Sequence, residues 1–87
     1  MSAFVVLVEA DFRSSNLNYR IRSSDPLPEA EARSLFDQVI HGQQPDLLKP
    51  NDDAVLVRTA ENQVCRLWTG VTRSQSMDRI TLAEVVD

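Results

Sequence analysis

From Phe4 to Phe12 the chain alternates, with Phe4, Val6, Val8, Ala10 and Phe12 on one side and Val5, Leu7, Glu9 and Asp11 on the other. A period of two in a Val-rich run predicts a β-strand. Arg13 to Asn16 have turn chemistry, and Leu17, Tyr19 and Ile21 then alternate with Asn18, Arg20 and Arg22, which predicts a second strand and a hairpin. Setting Phe12 opposite Leu17 places Ala10 against Tyr19, Val8 against Ile21 and Glu9 against Arg20, a register that suits both faces at once.

Pro26 and Pro28 interrupt the pattern. Ala32, Leu35, Phe36, Val39 and Ile40 then recur at helical spacing, opposed by Glu29, Arg33 and Asp37, so a helix is predicted over about 28–41 with Gly42 as its left-handed stop. Residues 43–53, with Pro45 and Pro50, are a loop with Leu47 and Leu48 tucked under it. Two short strands follow, Ala54 to Thr59 and Gln63 to Thr69, around a turn of Ala60, Glu61 and Asn62. With Asn62 in the left-handed conformation, Val57 pairs with Cys65 and Val55 with Leu67 on one face, and Leu56, Arg58, Val64, Arg66 and Trp68 share the other. The segment 77–86 is open between a strand, through Ile80, Leu82 and Val86, and a short helix with the capping box Thr81 to Glu84; the strand is preferred.

At 87 residues there is room for one domain, 1–87. The expected class is α+β: an antiparallel sheet of four or five strands with one main helix on one face, in the order β-β-α-β-β plus a C-terminal strand or short helix. The longest apolar run, Ala3 to Val8, is far short of the roughly 20 residues that cross a bilayer. It also lacks the flanks of a secretory signal, and a cytoplasmic location is expected.

The net charge of -4 argues against general nucleic-acid binding, but it is unevenly spread. Residues 25–53 carry seven acids against Arg33 and Lys49. Eight of the nine basic residues are Arg, a side chain suited to bidentate recognition of anions.

The sequence carries no recognisable catalytic or ligand-binding motif. One His and one Cys allow no disulfide and no CxxC motif, and two Gly allow no phosphate-cradling loop. His41 and Cys65 would form a base and nucleophile only if the helix end met the second hairpin. The ordinary roles are a helix-terminal residue for His41 and a small buried hydrophobe for Cys65. Asp46, Asp52 and Asp53 lack the spacing of a calcium loop, and Glu9 with Asp11 reads as a solvated strand end. No catalytic residue, cofactor or metal is therefore expected.

One helix shelters one face of such a sheet, and the other face is expected to carry Val5, Leu7, Leu56, Val64 and Trp68 among arginines, too apolar to be left wet without reason. This points to a small non-catalytic interaction module, a subunit, adaptor or inhibitor, whose interaction surface is Leu56, Arg58, Val64, Arg66, Trp68, Arg20 and Arg22. Its partner is a protein, with a second copy of the chain favoured. Glu29, Glu31, Asp37, Asp46, Asp52 and Asp53 are available for a basic partner. The alternative is single-stranded nucleic acid, with Arg20, Arg22, Arg58 and Arg66 on phosphates and Trp68 or Tyr19 stacking a base.

Overall fold

The computed structural model describes residues 2–12, 20–69 and 75–86, with the backbone alone at 11 and 12. The fold is α+β: one antiparallel six-stranded sheet with one helix against it. The elements are β1 (Ala3–Phe12), β2 (Arg20–Ser23), β3 (Leu27–Pro28), α1 (Glu29–Ile40), β4 (Val55–Ala60), β5 (Gln63–Thr69) and β6 (Gln75–Glu84). Their order across the sheet is β2-β1-β6-β5-β4, and the two-residue β3 adds to β1. The strand at 75–84 is the expected fifth, and the short β3 bridge makes the sixth, one above the expected four or five.

The helix forms where the apolar stripe demanded it. Ala32, Phe36 and Val39 are buried, and Leu35 and Ile40 pack beside them. Glu29 and Glu31 stand in the first turn, at the positive end of the helix dipole. His41 closes the last turn, and Gly42 follows with φ +73°, donating to the Val39 carbonyl at 3.2 Å. A Cβ at position 42 would lie 3.3 Å from Pro50 Cβ, so both conformation and space favour glycine.

Beneath the helix lie Val6 and Val8 of β1 and Ile80 and Leu82 of β6, with Val64 of β5 alongside. β6 is central: Val8 and Val64 face Ile80 from its two sides. Its alternation of Ser76, Asp78, Ile80 and Leu82, all buried, against Met77, Arg79, Thr81 and Ala83 settles strand over capped helix. Buried on one side by α1 and bonded along both edges, this segment gains more as a strand than a single helical turn offers.

Two expectations about registers and faces meet different fates. The β4–β5 pairing is as the turn predicted, Val57 with Cys65 and Val55 with Leu67, with Ala60 brought opposite Gln63 across a register shift. The sides are exchanged, however. Leu56, Arg58, Val64, Arg66 and Trp68 do share a face, but it is the helix side, and Val64 and Arg66 are buried there. The cause is β6, which sets Val64 against Ile80 in the core and supplies Asp78 opposite Arg66.

The β1–β2 register is corrected by one residue: Ile21 faces Glu9, Arg22 faces Val8 and Arg20 faces Ala10. All four β2 residues are exposed, so core burial does not choose their register. It is set instead at the strand's end, where the Ser24 amide donates to the Val6 carbonyl at 3.0 Å and the Val6 amide donates to Ser24 Oγ at 2.9 Å. The expected partners Leu17 and Tyr19 lie outside the described residues.

Candidate functional site

α1 packs over β1, β3 and β6. The rest of the helix-side face is finished by the segment 43–54, which turns back on itself through Leu47 and Leu48 amides donating to the Gln44 carbonyl. Leu48 joins the core and Leu47 packs against it. Between this segment and the strands remains a cavity of about 420 Å³, lined by Ala10, Arg20, Arg22, Pro45, Leu47, Leu48, Lys49, Arg66, Trp68 and Asp78.

The innermost charge is Arg66, 7% exposed, whose Nε (2.9 Å) and Nη2 (2.5 Å) both donate to Oδ2 of Asp78, 2% exposed. Its Nη1 donates to the Lys49 carbonyl at 2.8 Å. Each of the three guanidinium nitrogens thus donates a hydrogen bond, and among the described residues no buried side-chain polar atom lacks a partner. Arg66 also lies 5.9 Å from the ring centroid of half-buried Trp68. Arg22 Nη1 donates to the Asp46 carbonyl. Two arginines from different strands therefore fasten the same four-residue wall, Asp46 to Lys49, at its two ends.

Of the seven residues the sequence proposed as a surface, four meet in this cavity: Arg20, Arg22, Arg66 and Trp68. Leu56 lies instead beside a smaller cavity of about 210 Å³ at the helix C-terminus. Arg58 turns to its own hairpin, donating to the Glu61 carbonyl at 2.8 Å, and Val64 is core. Sequence reasoning missed Lys49 and Asp78. An isolated Asp alternating with buried Ser76, Ile80 and Leu82 was the available signal for Asp78; for Lys49 there was none.

Among the described residues the opposite, outer face carries no helix. It presents Val5 and Leu7 from β1, Ile21 from β2, Met77 and Arg79 from β6, Cys65 and Leu67 from β5, and Val55 and Val57 from β4. At its centre Arg79 donates from Nε and Nη2 to the two Glu9 oxygens, each at 2.8 Å. Arg79 thus holds the carboxylate expected to face Arg20. The apolar members of β4 and β5 on this side are Val55, Val57, Cys65 and Leu67 rather than the expected Leu56, Val64 and Trp68.

His41 Nδ1 lies 2.7 Å from the Asp37 carbonyl oxygen, at the helix end, whereas Cys65 is buried on the outer side of the sheet. The two stand on opposite sides and form no dyad. Asp46, Asp52 and Asp53 are exposed, and no three His, Cys, Asp or Glu side chains gather as a metal site among the described residues. None of the described helices is long and apolar enough to cross a membrane. Comparison with protein-family models, curated proteins and solved structures finds no match.

Proposed function

We propose that this chain is a small non-catalytic interaction module whose partner, a second copy of itself first, joins at the β4 edge and the adjoining outer face. The observation that carries this is β4 itself. Among the described residues it pairs with β5 alone, every one of its six residues is exposed, and Val55 (62%), Leu56 (45%) and Val57 (37%) put apolar side chains on both of its faces. An edge strand with free amides and carbonyls is a template for another strand, and proteins usually guard it with charge, proline or a bulge. In β4 such guards occur only toward its far end, as Arg58 and the register shift before Ala60.

The two edges of the sheet differ in a way that selects the partner. β2 carries Arg20 and Arg22 within four residues, so two copies brought together there would repel. β4 carries one charge. Antiparallel pairing with a second β4 about Val57 sets Arg58 opposite Leu56 of the copy, and no like charges meet. Outer-face residues Val55, Val57 and Leu67 continue the apolar surface inward from that edge. The exposed acids Glu29, Glu31, Asp37, Asp46, Asp52 and Asp53 remain on the other side for a basic partner.

Light scattering after size exclusion tests the reading. Wild-type chain is expected to be a dimer, and Val55→Lys with Val57→Lys a monomer of unchanged circular dichroism. A folded wild type that stays monomeric up to about 1 mM, where a contact of only ~4 kcal/mol would be half formed, removes the self-association reading.

A further inference from the structure

We propose that the cavity beside Trp68 binds a small anion carrying a flat ring, a ligand of the nucleoside monophosphate class. Charge is the first argument. The chain has a net charge of -4, yet four of its nine basic residues line this one cavity. Among the described residues the one carboxylate lining it, Asp78, is engaged by Arg66. Arg22 is held by a backbone carbonyl, which fixes its position without neutralising it. Arg20 and Lys49 have no ion pair among the described residues. Arg20, Arg22 and Lys49, which meet no carboxylate among the described residues, repel each other around one concavity, and a bound anion relieves that repulsion.

Shape is the second argument. About 420 Å³ falls within the range of small-molecule pockets, which combine apolar lining with a few placed polar groups. Here the apolar part is Ala10, Leu47, Leu48 and Trp68, and the polar part is the cationic rim. Trp68 offers a π surface for a planar group. Arginine is matched to phosphate by its planar fork of donors.

Preorganisation is the third. The wall from Asp46 to Lys49 is tied at both ends, by Arg22 and by Arg66, and Arg66 is itself locked by a buried carboxylate. A ligand entering such a site spends little binding energy on ordering it. The wall also distinguishes a small ligand from a polynucleotide, which needs an open groove along which a backbone can run.

Trp68 is the sole tryptophan of the chain, so its fluorescence reports the site directly. Full-length protein is titrated with the four common ribonucleoside monophosphates, with adenosine, with inorganic phosphate and with oligothymidylate. At least one monophosphate is expected to change the emission saturably, while adenosine and phosphate alone bind about tenfold more weakly. Joint replacement Arg20→Ala and Lys49→Ala should weaken binding about tenfold or more, the loss that one charge-assisted hydrogen bond carries. Circular dichroism should remain unchanged. The proposal is overturned by absence of saturation with every monophosphate in both fluorescence and calorimetry, by equal affinity for phosphate alone, or by binding indifferent to the double replacement. Binding of oligothymidylate without any monophosphate would overturn it in favour of a single-strand surface.

Discussion

Asp78 and Arg79 are neighbours in one strand, and each holds an ion pair with the strand beside it, yet the two pairs occupy different worlds. Asp78 turns to the helix side, where Arg66 and its own carboxylate are almost wholly enclosed. Arg79 turns outward and grips Glu9 on the face opposite α1. The inner pair sits beside the hydrophobic core and a cationic cavity; the outer pair is flanked by Ile21 of β2, opposite Glu9, and Cys65 of β5, opposite Arg79. Polarity of the residues does not distinguish the two faces, since each mixes apolar side chains with one Arg–carboxylate pair. Coverage distinguishes them: α1 and the segment after it enclose one face, and among the described residues no helix lies on the other.

The contrast sharpens under substitution. Asp78→Ala leaves a guanidinium enclosed without its counter-charge and should cost about 3–5 kcal/mol in urea unfolding, whereas the double variant Arg66→Met with Asp78→Leu should recover most of that loss. A double variant as unstable as the single one would show that the pair's shape, not its charge, is what the fold requires. Next in size is the comparison of apolar truncations. Ile80→Ala, beneath the helix, should cost about 3 kcal/mol, and Leu67→Ala on the outer face of a monomer about 1 kcal/mol. Thermal melts of equal depression would erase the distinction between the faces. The smallest effect falls on the outer pair. Glu9→Gln keeps the shape and one acceptor, and at this partly exposed site it should lower stability by about 1 kcal/mol. High salt should diminish that difference between wild type and variant.

Much of this architecture is legible in the chain. The stripe from Ala32 to Ile40 gave the helix within a residue at each end, Gly42 its stop, and the alternation in β1 the correct inner face. What failed is physically connected. An Arg in mid-strand looks like a surface residue until its counter-charge is known, and Asp78 lies in a different strand whose place in the sheet no local pattern reveals. Hence the register of the second hairpin could be read while its sides could not. β2 slipped by one because nothing buried pins it; Ser24, outside the strand, does. The candidate cavity was half visible. Arg20, Arg22, Arg66 and Trp68 stood out by composition, but Lys49 and the closing wall depend on how an irregular segment folds back, which is fixed by backbone carbonyls meeting distant guanidinium groups.

The central position of β6 has a kinetic side. Glu9 and Arg79 are separated by 70 residues along the chain and are bonded only because Gln75–Glu84 inserts between β1 and β5. Until that insertion, the β1–β2 ribbon and the β4–β5 hairpin are two local units with raw inner edges and no ladder joining them. Closure of the sheet is therefore a long-range event, slow by the measure of contact order, and the interval before it is when the nascent molecule is most exposed to pairing with the wrong strand.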